Sequence, residues 1–133
     1  MIALITLLNI CHLFGDFSPL STSKMLQAKE KGTPSIPIFL HASIHGLLML
    51  SVLVFFCSIK LAIILCLFEI VTHFLIDTWK GKMNVWFPIF SDNKNKYHWM
   101  LFGFDQFLHQ LVIVSIVHLA FINQQQLFEG HVH

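Results

Sequence analysis

The stretch from Glu69 to Asp77 constrains the fold of this chain more than any other. It lies inside a long apolar run, Leu61 to Trp79, which predicts a membrane-spanning helix. Glu69, His73 and Asp77 follow one another at steps of four residues. Because an α-helix has about 3.6 residues per turn, these side chains form one polar stripe on an otherwise apolar helix. Ionisable groups are costly in a bilayer, so the stripe indicates that this helix faces other polar groups in a bundle.

Three further apolar runs predict three further membrane-spanning helices. The predicted spans cover about residues 2–18, 38–59, 61–79 and 101–122, and Lys60 alone forms the turn between the second and the third. Composition agrees, since 56% of the 133 residues are hydrophobic and 11% are charged. We expect an all-α integral membrane protein with a single domain over residues 1–133, an antiparallel four-transmembrane-helix bundle. A short interfacial helix, Ser23 to Lys31, is expected in the first connection, and the tail from Asn123 to His133 is expected to be loose.

The lysines predict the orientation of this bundle. Four spans place both termini on one side of the membrane and the first and third connections on the other side. Those two connections hold seven of the eight basic residues, all of them lysine. By the positive-inside rule the two connections are cytoplasmic and both termini are outside. The net charge of +1 offers no basic surface, so nucleic acid is not an expected partner.

Each predicted span carries one pair of ionisable residues four positions apart. The pairs are His12 with Asp16, His41 with His45, His73 with Asp77, and Asp105 with His109. This spacing places two side chains on one helix face, the arrangement by which helical bundles present paired ligands to a metal. Every pair lies near the end of its span that adjoins a lysine-rich connection. We therefore predict that all eight residues are metal ligands in one layer near the cytoplasmic side.

The chemistry of these side chains predicts the kind of metal. An interhelical hydrogen bond returns only about 1 kcal/mol in a membrane, which does not offset the burial of three aspartates. Imidazole and carboxylate ligands suit a divalent metal, with Zn favoured and Mn or Fe as alternatives. Eight ligands exceed the need of one ion, so we expect two ions, or one ion surrounded by further carboxylates.

Three carboxylates are candidate catalytic residues. Asp16 and Asp77 can act as a general base when they are not used as ligands. Glu69 has no counterpart in the other spans and lies about 6 Å further into the bilayer than His73. We interpret Glu69 as a base behind the ligands, a proton relay or a buried neutral acid rather than as a ligand itself.

The four motifs also carry a family resemblance. In chain order they read His12-Leu-Phe-Gly-Asp16-Phe, His41-Ala-Ser-Ile-His45-Gly, His73-Phe-Leu-Ile-Asp77 and Asp105-Gln-Phe-Leu-His109. Together they resemble the small bacterial integral-membrane proteins catalogued as domain of unknown function 3307. The resemblance covers nearly the whole chain and departs at Ser18 to Ser21, where members often have Leu-Gln. It implies a location in the bacterial inner (cytoplasmic) membrane and names no activity.

The leading functional hypothesis is a membrane-embedded metal-dependent hydrolase that acts on a lipid or lipid-linked phosphate. The metal would activate water and polarise an oxygen of the substrate, and the lysines would attract an anionic head group. One alternative is a di-iron type membrane oxidoreductase, although the Glu-x-x-His pattern typical of such centres is absent. Another is an ion or metal transporter or ion-binding subunit. The expected partners are the lipid bilayer and a lipid-derived substrate, and homo-oligomer formation and enzymatic activity stay open.

Overall fold

The computed structural model describes residues 1–129, apart from the side chains of residues 124 and 126–129. This part of the chain is helical and contains no strand. The helices are α1 (Ile2–Phe17), α2 (Ser23–Lys31), α3 (Ile36–Leu53), α4 (Ile59–Trp86) and α5 (Lys96–Glu129), with a short 3-10 turn at Pro88–Phe90. The all-α class is therefore confirmed, and so is the short helix predicted at Ser23–Lys31.

Three of these helices are long and apolar enough to cross a membrane. They are α3, α4 and the part of α5 from Lys96 to Asn123. The apolar helix α1 has 16 residues, which gives it a length of about 24 Å, less than the ~30 Å hydrocarbon core of a bilayer. The structure thus shows three candidate spans within residues 1–129, not the four that we predicted.

The predicted one-residue turn at Lys60 is wrong. The helix α3 ends at Leu53, and residues 54–58 form the turn before α4. The amide of Phe56 donates to the carbonyl of Leu53, three residues back, and such tight bonds end an α-helix. The side chain of Ser58 then caps α4 by accepting a hydrogen bond from the amide of Leu61. The sequence stays apolar through this turn, so hydropathy did not reveal it.

The last two long helices extend beyond their predicted ends. The helix α4 continues past Trp79 to Trp86, and α5 begins at Lys96 instead of residue 101. The predicted loose tail is helical from Asn123 to Glu129, and residues 130–133 lie outside the described part of the chain. Hydropathy marks only the apolar part of a helix, whereas backbone hydrogen bonding continues into polar residues that favour helix.

The interior of the bundle changes character along its length. At the end away from the two lysine-rich connections it is an apolar core, formed by side chains such as Leu8, Met49, Leu65 and Ile113. At the other end it contains the ionisable residues of the four motifs. Many large apolar side chains, such as Phe107, are exposed on the outside. An apolar exterior around a partly polar interior is the arrangement expected of a helical membrane protein.

A close contact between two glycines docks α2 onto α4. Gly32 ends α2 in the left-handed conformation, with φ of 58°. A Cβ atom on Gly32 would collide with the backbone of Gly81 and Lys82, and a Cβ on Gly81 would collide with the backbone of Gly32 and Lys29. The two backbones can approach this closely only because neither residue has a side chain. As a result the last turn of α2 lies directly over the polar end of the bundle.

Candidate metal centre

Five histidines from α1, α3, α4 and α5 form one cluster inside the bundle. The rings of His45 and His73 stack with their centroids 3.8 Å apart, and the ring of His109 lies 4.2 Å from that of His73. The ring of His12 lies 5.0 Å from that of His45, and the ring of His41 lies 4.7 Å from it. All five side chains are buried, with 0–4% exposure. The i,i+4 pairs of the four helices thus lie at one depth in the bundle, and their histidine rings meet in one cluster.

The aspartates of the motifs join this cluster. Asp16 Oδ1 lies 3.2 Å from His41 Nε2 and 3.5 Å from His45 Nε2. Asp77 Oδ2 lies 3.4 Å from His73 Nε2, and Asp77 Oδ1 lies 3.6 Å from the ring of His109. Asp16 and Asp77 therefore connect the histidines of all four helices through short polar contacts.

Three overlapping sets of side chains can each hold a metal ion, because their ligand atoms lie within 4.8 Å of one another. The sets are His12, His45, Glu69 and His73; Asp16, His41, His45 and His73; and His73, Asp77 and His109. His73 belongs to all three. Seven of the eight predicted ligands occur in these sets, so the folded chain gathers them into one group of overlapping candidate sites.

The remaining predicted ligand, Asp105, lies at the edge of the cluster. Its Oδ1 is 3.6 Å from His109 Nε2, and its Oδ2 is 2.7 Å from the ammonium group of Lys80. The side chain is buried, yet it belongs to none of the three sets formed by the described residues. The geometry therefore favours Asp105 as a partner of His109 and Lys80 over a direct ligand.

Glu69 lies against the cluster rather than apart from it. Its side chain is buried, and Oε1 lies 3.2 Å from His73 Nδ1. When Nδ1 carries the proton, it donates to this carboxylate and leaves Nε2 of His73 free to bind a metal. Glu69 also belongs to one of the ligand sets. The residue can thus orient His73 or bind the ion itself, and the second role was not expected from the sequence.

Sequence reasoning missed two lysines that reach the cluster. The ammonium nitrogen of Lys29 lies 3.1 Å from Asp16 Oδ1, 3.3 Å from Asp77 Oδ1 and 3.0 Å from His41 Nε2. Burial alone would lower the pKa of Lys29, but the carboxylates of Asp77 and Asp16 outweigh it and raise that pKa above its ordinary value. Lys29 therefore stays charged and acts as a cation of the site.

A local signal existed for one of these lysines and not for the other. Lys80 follows Asp77 by three residues, so helical periodicity alone places it near the same face of α4. Lys29 reaches the cluster only because α2 docks at Gly81. No spacing in the sequence indicates that contact.

Carboxylates outnumber ammonium groups in the cluster. Four buried or half-buried carboxyl groups face two lysines, so the remaining positive charge must come from protonation of carboxyl or imidazole groups or from a bound cation. Within the described part of the chain, several buried ring nitrogens and carboxylate oxygens also have no hydrogen-bond partner, among them both ring nitrogens of His12 and His45. Buried charges and lone pairs are costly unless they are paired. A divalent cation would balance the charge and use these atoms as ligands.

A polar cavity of about 240 Å³ adjoins the cluster. It lies among α1, α2, α4 and α5, and its wall includes Asp16, Lys29, Lys80, Asn84 and Gln106. Asp16 therefore faces both the cavity and the histidines. A small polar molecule in this cavity would contact the candidate metal ligands directly.

Fold and site together define a class of protein, an all-helical protein with candidate membrane spans and a buried histidine–carboxylate cluster that can hold metal. The chain belongs to the family described as Protein of unknown function (DUF3307), which matches residues 4–131. This match confirms the family that the four motifs indicated. Comparisons with curated proteins and with solved structures give no match.

Proposed function

We propose that this protein is a membrane-embedded metal-dependent hydrolase that acts on a lipid or lipid-linked phosphate. The observation that carries the proposal is the convergence of five histidines and four carboxyl groups, from four helices, in one buried cluster. Such a cluster is costly as packing alone, since buried ionisable groups require compensation. A bound divalent metal would compensate the buried charges, and it would also activate water for hydrolysis.

The proposal includes the arrangement in the membrane. In it α1 crosses the bilayer with α3, α4 and α5, which makes an antiparallel four-span bundle in the bacterial inner membrane. Both termini are outside, and the cluster lies near the cytoplasmic side. Two observations support this arrangement: α1 contributes His12 and Asp16 at the depth of the other pairs, and seven of the eight lysines lie in the first and third connections.

Zinc is the metal that suits this ligand set best, and two ions are proposed. Zinc readily takes three or four imidazole and carboxylate ligands, and His45 and His73 stand where the ligand sets overlap. The metal would activate a water molecule and polarise a phosphoryl oxygen. The water oxygen attacks phosphorus, the ester P–O bond breaks, and the leaving alkoxide takes up a proton. Asp16 or Asp77, whichever is not bound to metal, accepts the proton of the water.

Metal analysis of the purified protein with a matched pair of variants tests the site. His73→Ala removes the residue shared by all three ligand sets and is expected to abolish bound zinc. His118→Ala is the control, because His118 is exposed on α5 and belongs to no ligand set of the described chain. Equal zinc content in the two variants would overturn the metal site. Coupled iron with visible absorbance would favour the di-iron oxidoreductase over the hydrolase.

The reaction itself is tested with a panel of lipid phosphates. We expect phosphate release that is lost on chelation, restored by zinc, and absent in His73→Ala but present in His118→Ala. Bound zinc without hydrolysis of any panel member would overturn the hydrolase proposal and favour ion transport.

A further inference from the structure

A groove of about 530 Å³ runs between α1 and α5 on the outside of the bundle. We name it the lateral groove. Its wall is apolar at Ile5, Ile10 and Leu13, all on α1. It opens on the same apolar exterior that faces the bilayer in a membrane-embedded bundle. The groove is therefore accessible to a hydrocarbon chain from the membrane.

The floor of the lateral groove reaches the metal cluster. His12 lines the groove, yet it is only 4% exposed, and its Nε2 lies 3.5 Å from Asp16 Oδ2. The ring of His12 lies 5.0 Å from that of His109. A molecule in the groove therefore contacts His12, which is itself a candidate metal ligand.

The lateral groove also carries amides at membrane depth. Asn9, Gln106 and Gln110 line it together with the apolar residues. Amide side chains inside a bilayer are favourable only when they find hydrogen-bond partners. Asn9 donates one hydrogen of its amide nitrogen to the carbonyl of Ile5, which leaves the second hydrogen of that nitrogen as a donor. Amide N–H donors beside an apolar wall suit the ester carbonyls that join lipid chains to their head group, because these oxygens accept hydrogen bonds.

The lateral groove and the polar cavity lie next to each other. Phe17 and Gln106 line both of them. Beyond these two residues, the polar cavity presents Lys29 and Lys80 together with the carboxyl groups of Asp16 and Glu30. The groove and the cavity match the two parts of a phospholipid, an apolar chain and an anionic phosphate, since lysine ammonium groups bind phosphate as point charges.

We infer that the lateral groove holds the hydrocarbon chain of the substrate and that the polar cavity holds its phosphate. The substrate class is therefore a membrane lipid that ends in a phosphate monoester, such as phosphatidic acid. The inference rests on the proposed function for the reaction, but lipid binding in the groove can be measured without it. A soluble phosphate ester would use the polar cavity and leave the lateral groove without a role.

Photo-crosslinking with phosphatidic acid that carries a diazirine in its acyl chain tests the inference. The protein is embedded in phosphatidylcholine nanodiscs, and the labelled peptides are mapped by mass spectrometry. We expect labels to concentrate on the groove residues of α1 and α5. Ile10→Trp and Gln110→Trp fill the groove and should lower this labelling about tenfold. Leu7→Trp and Leu111→Trp are matched controls on exposed positions outside the groove and should leave it unchanged.

Each contrary outcome overturns a defined part of the inference. Labels spread evenly around the bundle, or equal losses in all four tryptophan variants, would overturn the groove as a chain site. Equal labelling by the same diazirine chain on phosphatidylcholine would overturn the choice of a phosphate monoester. Retained helicity and a single size-exclusion peak identify the variants that are folded.

The same experiment separates this inference from the proposed function. His73→Ala should keep the groove labelling while it loses activity, because the groove does not depend on the metal. Groove labelling without any lipid hydrolysis would support the lipid site and overturn the hydrolase. Hydrolysis of a short soluble phosphate ester together with even labelling would support the hydrolase and overturn the groove.

Discussion

At the scale of single residues, Lys29 is the side chain that most changes the interpretation of the site. Its ammonium group has three polar neighbours within 3.3 Å, two carboxylate oxygens and one imidazole nitrogen. That environment resembles the one that a metal ion would select. Lys29 pairs with Asp16 and Asp77, so it would compete with a bound metal for these carboxylates.

Replacement of this internal cation should change metal affinity. In Lys29→Met we expect divalent zinc to bind about tenfold more tightly or better, because a unit positive charge close to the ion is removed. We expect the metal-free variant to lose about 3–5 kcal/mol of unfolding free energy, since two buried carboxylates lose their partner. Zinc titration and thermal unfolding in detergent measure the two effects.

The matched control for Lys29→Met lies two residues further along the same helix. Lys31 is exposed, so Lys31→Met should change neither zinc affinity nor stability by a measurable amount. Weaker zinc binding in Lys29→Met would contradict the competition and show instead that Lys29 holds the two aspartates in position as ligands.

At the scale of the helices, close packing at glycines positions the ligands. A Cβ atom on Gly15 of α1 would collide with the ring of His45 on α3. On Gly46 it would meet Ile70 and the backbone of Cys66 on α4. These glycines allow the helices to approach so closely that side chains from α1, α3 and α4 can share one centre. The ligand geometry therefore depends on residues that bind nothing themselves.

One methyl group at such a contact should disturb the site. Gly15→Ala is expected to displace the ring of His45 and to weaken zinc binding by about 10–100-fold, the usual cost of disturbing a residue that orients a ligand. Gly103→Ala is the control, because a Cβ there meets no atom within 4 Å. It should keep zinc affinity and stabilise α5 by about 0.5–1 kcal/mol. Equal zinc affinity in the two variants would contradict a close fit at Gly15.

At the scale of the whole molecule, the open question is whether the short helix α1 crosses the membrane. Four crossings place both termini on the same side, whereas three crossings by α3, α4 and α5 place them on opposite sides. We expect four, with the termini outside. Single cysteines in a background without Cys11, Cys57 and Cys66 test this in whole cells with an impermeant maleimide. Labels near both termini, and none in the α2 connection, are expected.

Two labelling patterns would contradict this topology. A label at only one terminus means that α1 does not cross. Protected termini together with a labelled α2 connection mean that the bundle is inverted, and the candidate metal site then lies near the outer side. The substrate would in that case come from the outer leaflet.

The helical class and the pairs of ionisable residues on each helix face were predictable from local patterns. Residues four apart on a helix share a face whatever surrounds them, so the motif pairs could be read directly from the sequence. Thr22 and Gly32, a cap and a left-handed stop, likewise mark the ends of α2 at Ser23 and Lys31. Other helices end where the sequence keeps the same apolar or polar character beyond the last residue, as α3 does at Leu53. Such ends leave no comparable signal in the sequence.

The tertiary structure alone decided which further side chains join these pairs in the cluster and which charges contact one another. The reach of Lys29 to two aspartates depends on the contact between Gly32 and Gly81, which are far apart in the sequence. Contacts of this kind result from the docking of whole helices, and no periodic pattern records them. The sequence by itself determined that four helix faces are polar at one depth. The packing determined that four carboxyl groups and five imidazoles meet beside only two lysines, an arrangement that a bound cation would stabilise.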